Sequence, residues 1–318
     1  MIRTLIFVFA CVLTPLAAQT ALAGTDVLDP AKLKLASTNA LVLDARNGQL
    51  VYAKSADDIT PIASLTKLMT AMVVLDANLP LEEPIAVDMD DFDYLKGSRS
   101  RLRMGATLSR DEMLRLALMA SENRAASSLA RHYPGGLPAF VEAMNAKAAL
   151  LGMSHTHFED PTGLTPNNVS TASDLALMVQ AAAEYPLIRS YSTTPAHFVA
   201  VQPSGQTLGF NNSNALVKSD AWDIQLQKTG YIREAGRCVV MLATIASRPM
   251  VIVLLDSFGK YTRLGDAQRV KHWLETGEAL SVPTMKAAAT KTATKPAVKR
   301  VKGTIPPRVA SNAKARRA

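Results

Sequence analysis

The spacing of apolar and polar positions changes twice along this chain and divides it into three zones. Ala40-Leu41-Val42-Leu43-Asp44 and Gln49-Leu50-Val51-Tyr52-Ala53 flank Arg46-Asn47-Gly48. That pattern predicts two short strands joined by a hairpin, with Asn-Gly tolerating positive φ at the turn. A helical zone follows Pro61. From Ser64 to Leu75, the positions Leu65, Leu68, Met69, Met72, Val73 and Leu75 are apolar nearly all round, which predicts a buried helix. Ser109-Arg110-Asp111-Glu112 has capping-box form and starts a helix through Leu114, Leu116, Leu118 and Met119. That helix runs into Ser121-Glu122-Asn123, and a further helical stretch continues to His132. Pro134-Gly135-Gly136 ends it, Pro138 restarts a helix that Gly152 closes, and Thr171-Ala172-Ser173-Asp174 opens another that ends near Glu184. The last zone returns to strands. Trp222 to Lys228 alternates, Arg237 to Ala246 and Met250 to Ser257 are apolar, and a final helix from about Thr262 carries Val270, Trp273 and Leu274. Strands at both ends of a helical middle predict an α/β (α+β) domain, an antiparallel sheet with helices packed against it. The middle, roughly 37–278, suits one large domain or two interleaved lobes.

The two ends change this picture. Arg3, the apolar run Leu5 to Ala18 and Ala21-Leu22-Ala23 before Gly24 have the form of a secretory signal over 1–23. The run is shorter than the ~20 apolar residues of a typical membrane span, so no transmembrane anchor is expected after cleavage. Residues 24–36 then form a short mature N-terminal segment. Cys11 leaves with the signal, and Cys238 remains as a lone cysteine in an apolar strand-like run, expected to be buried and inert. The tail, 279–318, is rich in Ala, Lys, Thr, Pro and Arg, and too poor in large apolar residues to fold. Removing its ten Lys and Arg residues and Arg3 from the overall charge of +8 leaves about −3 for the middle, so the basic character belongs to the tail. An anionic surface as the tail's partner and a purely solvated appendage are equally open readings. Nucleic acid is not expected, because the chain is exported and the tail has no aromatic residue to stack on bases.

The candidate chemistry lies in three short motifs taken in order: Ser64-Leu65-Thr66-Lys67, Ser121-Glu122-Asn123 and Lys228-Thr229-Gly230. Singly they are weak. S-x-x-K recurs at Ser257 and Ser311, and S-x-N recurs at Ser37. Only the Ser64 copy opens an apolar helix and precedes the other two at domain-scale intervals. Three residues apart on a helix, Ser64 and Lys67 share a face, so the amine can meet the hydroxyl. A lysine acts as a base only when neutral. Lowering its ~10.4 pKa by about three units costs roughly 4 kcal/mol, and burial with a second cation nearby, for which Lys228 is the natural candidate, would push it that way. Ser121 can relay a proton between the lysines, and Asn123 offers a donor and an acceptor to a peptide backbone. Lys228-Thr229-Gly230 ends an alternating strand, whose edge can pair with an extended peptide. Gly230 permits close approach, and Thr229 with Lys228 can hold a carboxylate.

With these motifs in hand, the chain resembles the low-molecular-mass penicillin-binding proteins, serine DD-peptidases of the peptidoglycan wall. Pro61 to Ala71, Ser121 to Ala126, Pro161-Thr162-Gly163-Leu164 and Lys228-Thr229-Gly230 carry the likeness. The fuller runs His132 to Gly136, Ala143 to Ala148 and Asp256 to Thr262 are similar to its D-alanyl-D-alanine endopeptidase branch, the penicillin-binding protein 7 type. The resemblance covers about 37–277. It implies a β-lactamase/transpeptidase-like domain with a five-stranded antiparallel sheet and helices on both sides. It further implies Ser64 as acylated nucleophile, Lys67 as general base, Ser121 and Lys228 as proton shuttles, and Asn123 and Thr229 as substrate contacts. The amides of Ser64 and Tyr231 would form an oxyanion hole. No cofactor or metal is implied. The expected partners are peptidoglycan stems and, as covalent inhibitors, β-lactams, and the expected location is the periplasm of a Gram-negative bacterium.

Four other readings compete with this one. A β-lactamase of class A type needs a Glu in an E-x-x-L-N loop, and Glu142, Glu159 and Glu184 all have the wrong followers, so a long-lived penicilloyl adduct is expected on Ser64. A metallopeptidase built on His155-Thr156-His157 lacks H-E-x-x-H. A wall-binding scaffold with a spent site is opposed by the full set of catalytic side chains. A carboxypeptidase trimming terminal D-Ala shares every motif with an endopeptidase, and the motifs do not separate them.

Overall fold

A computed structural model describes residues 28–282. The expected signal segment and the tail beyond Val282 lie outside the described residues. The strands in chain order are β1 (Ser37–Asp44), β2 (Gln49–Lys54), β3 (Thr60–Pro61), β4 (Pro84–Ala86), β5 (Thr107–Ser109), β6 (Val169–Ser170), β7 (Ala196–Val201), β8 (Gln206–Asn211), β9 (Asp223–Ile232), β10 (Gly236–Ile245) and β11 (Arg248–Ser257). The helices are α1 (Thr66–Asp76), α2 (Arg110–Met119), α3 (Asn123–Arg131), α4 (Gly136–Leu150), α5 (Ala172–Ala183), α6 (Pro186–Ser192) and α7 (Thr262–Thr276).

Five strands form one antiparallel sheet in the order β2-β1-β11-β10-β9. The N-terminal hairpin turns where Asn-Gly predicts it: Gly48 has φ +69° and its N–H donates to Asp44 O. The C-terminal meander β9–β10–β11 joins that hairpin through β1 against β11, with Val42 opposite Ile252 and Leu41 opposite Val253. Both ends of the fold therefore meet in one sheet, and β9 is left as a free edge.

The continuous apolar character of β1, β10 and β11 follows from cover on both faces. Ala40, Val42, Met241, Ile252 and Leu254 face α7, whose Trp273 is fully buried and meets Tyr52 edge-on. Leu33 and Leu35 close the same layer from the N-terminal side. Leu41, Leu43, Val240, Val251 and Val253 face the other way, into the larger core that surrounds α1. Every residue of α1 from Thr66 to Val74 is buried, as its all-round apolar character predicts.

Three local expectations are refined. Ser64 sits in a 3-10 turn, Ala63–Leu65, that leads into α1 rather than in α1 itself. The capping box at α2 is half made. Ser109 Oγ accepts from the Glu112 N–H, but the Glu112 carboxylate pairs with His197 Nε2 at 2.8 Å, a partner from β7 that no local pattern could announce. Lys228-Thr229-Gly230 lies within β9, which continues to Ile232 before turning into β10.

Candidate active site

The three motifs converge from three elements. Lys67 projects from the first turn of the buried helix α1, and its Nζ lies 3.1 Å from Ser64 Oγ, 2.7 Å from Asn123 Oδ1 and 2.7 Å from Thr162 O. The two shorter contacts are to oxygens that can only accept. When Lys67 is neutral, its two N–H bonds can serve them and its lone pair is left facing the Ser64 hydroxyl. Lys228 Nζ donates to Ser121 Oγ at 2.9 Å and to Thr229 O at 2.9 Å. Each serine therefore has its own lysine. Thr229 Oγ1 is held by Ser213, and Asn123 Nδ2 donates to Ser98 Oγ. Ser64, Ser121, Asn123, Thr229, Gly230 and Tyr231 line one cleft of about 460 Å³.

Both lysines are buried, and burial lowers the pKa of each. Lys67 falls from 10.5 to about 8, against the pull of the Asp160, Glu122 and Asp93 carboxylates, which favour its charged form. Lys228 falls well below the usual lysine range, because burial is reinforced by the positive charges of Lys67 and Arg263. The sequence reading expects Lys228 to depress Lys67. The repulsion acts on both amines; the three carboxylates offset it at Lys67, whereas the charge of Arg263 adds to it at Lys228.

The backbone around the nucleophile is held in unusual conformations. Ala63, just before Ser64, has φ +49°, and Ser121 has φ +59°. Such residues cost of order 1–3 kcal/mol each and persist only where the surroundings over-determine them. The surroundings are visible. Gly163 has φ +79°, and a Cβ there would stand 2.0 Å from Ala63 O and 2.9 Å from Ser64 N. Gly230 approaches from the other side, where a Cβ would lie 3.0 Å from Ile62 O and 3.3 Å from Ser64 N. The nucleophile turn is gripped between two glycines. Gly163→Ala is accordingly expected to lower the denaturation midpoint and to slow acylation of Ser64 by penicillin at least about tenfold, measured side by side on the same preparation. Wild-type acylation by a stable variant would show that the grip is unimportant.

Several residues of the site have no role in the sequence reading. Pro161-Thr162-Gly163-Leu164 contributes only to the family likeness there. Here Asp160 holds that turn through the N–H groups of Thr162, Gly163 and Thr165, and so aims Thr162 O at Lys67. Thr70 Oγ1 and Asn168 tie the same loop to α1. Glu122, the middle residue of its motif, caps α3 through the N–H groups of Arg124 and Ala125, and an acidic residue just before a helix is a signal that could have found it. Arg263, near the start of α7, reaches the cleft and donates to Gly230 O at 2.8 Å, while its Nε has no partner in the structure. Nothing in the local sequence marks Arg263, because its approach depends on how α7 packs behind β10.

The remaining candidates fall away. Cys238 is fully buried, its thiol contacts Ala235 O, and burial pushes its pKa up to about 12. His155 Nδ1 lies 4.0 Å from Asp174 Oδ1, and among the described residues no group of three or more His, Cys, Asp or Glu side chains could hold a metal ion. Among the same residues no helix is long and apolar enough to cross a membrane.

A five-stranded antiparallel sheet with a free edge, a serine at the head of a buried helix, and lysines in place of a His/Asp pair define a serine acyl-transfer enzyme of the penicillin-recognising kind. Comparison with known proteins makes the class specific. The peptidase S11 model, described as D-alanyl-D-alanine carboxypeptidase, matches residues 26–259, and the chain belongs to that family. A D-alanyl-D-alanine endopeptidase of Pseudomonas aeruginosa is 51% identical over 254 residues, 80% of this chain and 82% of that protein. A D-alanyl-D-alanine endopeptidase of Escherichia coli is 47% identical over 280 residues, 88% of this chain and 89% of that protein. Among solved structures, the Streptomyces K15 DD-transpeptidase superposes with a TM-score of 0.71 at 27% identity, covering 76% of this chain and 98% of that one.

Proposed function

We propose that the protein is a serine DD-endopeptidase that hydrolyses D-alanyl-meso-diaminopimelate cross-links in peptidoglycan through an acyl-enzyme on Ser64. The observation that carries this reading is the pairing of Ser64 with Lys67 and of Ser121 with Lys228 in one cleft beside a free strand edge. The stem peptide lies along β9, where Gly230 lets its backbone approach and Asn123 positions it. Neutral Lys67 takes the Ser64 proton as Oγ attacks the D-Ala carbonyl carbon. The resulting oxyanion sits between the amides of Ser64 and Tyr231, an arrangement in which one donor is worth ~2.7–4 kcal/mol. The proton taken by Lys67 passes by way of Ser121, beside Lys228, to the departing amine; water then adds to the ester carbonyl, its proton returns through Lys67 to Ser64 Oγ, and the stem leaves ending in the D-Ala carboxylate.

Thr229 and Arg263 receive the carboxylate next to the scissile amide on the leaving side. A terminal D-Ala has that carboxylate, and so does the diaminopimelate of a cross-link, which explains why one site suits both substrates. The endopeptidase assignment is preferred over the carboxypeptidase because the two relatives at 51% and 47% identity both bear the endopeptidase name. Penicillin forms a lasting adduct. The three carboxylates that act on Lys67 are already engaged, Asp160 by its turn, Glu122 by its helix cap and Asp93 by the N–H groups of Leu95, Lys96 and Ser98, so none is free to hold a hydrolytic water. The protein acts in the periplasm after loss of residues 1–23, as a catalytic domain over 37–278, with the basic tail attached to an anionic surface.

Digestion of purified cross-linked muropeptide dimers and pentapeptide monomers, read by mass, tests this. Dimers falling to monomers is the expected result. Dimers that survive while terminal D-Ala is lost would make the enzyme a carboxypeptidase.

A further inference from the structure

One ion pair at the rim of the cleft serves no evident structural purpose. Lys96, on the loop between the short 3-10 turn Met89–Asp91 and β5, reaches Glu234, on the turn between β9 and β10, with Nζ 2.6 Å from Oε1. Lys96 lines the cleft together with Ser64, Thr229 and Tyr231, and Glu234 directly follows Arg233, which lines it as well. Both side chains remain in contact with water, at 28% and 38% exposure. Ion pairs of that kind add little to stability, so the fold does not account for the position.

The Lys96 loop is nevertheless firmly built. The Asp93 carboxylate accepts from the N–H groups of Leu95, Lys96 and Ser98 at 3.0, 2.8 and 2.7 Å. Burial opposes the charge of Asp93, but these hydrogen bonds and that of the Ser98 side chain hold its pKa below the usual carboxylate value. The same loop supplies Ser98 Oγ to Asn123. Opposite, the Glu234 turn is fixed by Gly236, at φ +59°, where a Cβ would stand 2.3 Å from Asp256 Oδ1.

We propose that Lys96 and Glu234 form the subsite that reads the zwitterionic end of the diaminopimelate residue on the acyl-donor stem. This rests on the DD-peptidase reading above, which sets the direction of the substrate. The leaving-side carboxylate lies at Thr229 and the oxyanion at the Tyr231 amide. The acyl chain must then continue past Tyr231, toward Ile232, Arg233 and Glu234. The residue before D-Ala is the diaminopimelate, and one extended residue advances roughly 3.3–3.6 Å, so its side chain arises at the level of Ile232 and Arg233. That side chain ends in an ammonium and a carboxylate on one carbon. Glu234 matches the first and Lys96 the second. On binding, the internal pair opens and each charge gains a new partner, so no charge is left alone in the cleft. A stem with lysine at that position offers only the ammonium and leaves Lys96 unpaired.

The test is steady-state hydrolysis of two stem substrates, one with diaminopimelate and one with lysine at the third position, by wild type, Lys96→Met and Glu234→Gln. Penicillin acylation reports that each variant folds. Wild type should prefer the diaminopimelate stem by at least about tenfold in kcat/KM. Lys96→Met should erase most of that preference through a higher KM for the diaminopimelate stem alone, whereas Glu234→Gln should raise KM for both stems. Equal handling of the two stems by wild type, or an equal loss on both in Lys96→Met, would overturn the proposal. A wild-type protein that cleaves neither stem would instead remove the DD-peptidase reading, and this subsite with it.

Discussion

Ser64→Ala should abolish peptide cleavage and covalent labelling by penicillin together, with turnover down by at least about 10⁴-fold. The argument is one of placement. Ser64 Oγ is the hydroxyl on Lys67, whereas Ser121 Oγ is committed to Lys228. The serine of the second S-x-x-K, Ser257, is buried and bonded to Thr262 Oγ1, and it is not a partner of either lysine. No described serine stands ready to replace Ser64. The substitution removes one oxygen from a half-buried position, so the thermal midpoint should move by no more than a few degrees. Mass spectrometry after penicillin treatment reads the outcome: wild type gains one adduct on the Ser64 peptide, and the variant gains none. An adduct on Ser121 in the variant would sink the assignment of the nucleophile.

The sequence reveals which residues form this site better than it reveals how they are held. The S-x-x-K spacing announces a serine and a lysine on one face, and the all-round apolar run from Leu65 to Leu75 announces burial of that lysine. The contact and the burial are both found, although Ser64 stands in the 3-10 turn that leads into the helix and not in the helix itself. The antiparallel sheet is likewise readable, because β1, β10 and β11 are apolar on both faces and Asn47-Gly48 marks its hairpin, while its count of five strands comes from the family resemblance. What escapes is set by distant contacts. The second and third partners of Lys67 are an amide on α3 and the carbonyl of Thr162, the latter 95 residues away in sequence. The left-handed Ala63 is imposed by Gly163 and Gly230, neither of which is near it in sequence. The β7–β8 hairpin escapes a polarity reading because Phe198 lies on its exposed side, which blurs the alternation with buried Val199 and Val201. Arg263 and the Lys96–Glu234 pair have no motif at all. Each is a cation or anion of ordinary surroundings in sequence, brought to the cleft only by tertiary packing.

The pH dependence should separate the two lysines. Lys67 works as a base only when neutral, and burial lowers its pKa from 10.5 to about 8. Below that value the neutral fraction falls tenfold per pH unit, so kcat/KM should climb about tenfold per unit between pH 6 and 7 and level off above about 8. The sign is fixed by the direction of the shift, since raising the pH removes the proton that blocks the base. The environments of the two amines explain why this titration belongs to Lys67. Three carboxylates favour a proton there, whereas Lys228 has only cations for neighbours, Lys67 and Arg263. Two ammonium groups in one cleft repel, so Lys228, with burial and two cations against its charge, gives up its proton more readily than Lys67, which three carboxylates favour in the charged form. Lys67→Arg keeps a charge on that side of the cleft that cannot be removed at working pH, and should lower kcat/KM by about 10²–10⁴-fold at every pH from 6 to 10. A profile that is flat across pH 6 to 9 in wild type would point to the other amine. Lys228 would then draw the proton through Ser121, and Lys67 would serve as a fixed positive charge beside Ser64. The Arg variant distinguishes the two schemes independently, because a fixed charge at position 67 is fatal to the first and harmless to the second.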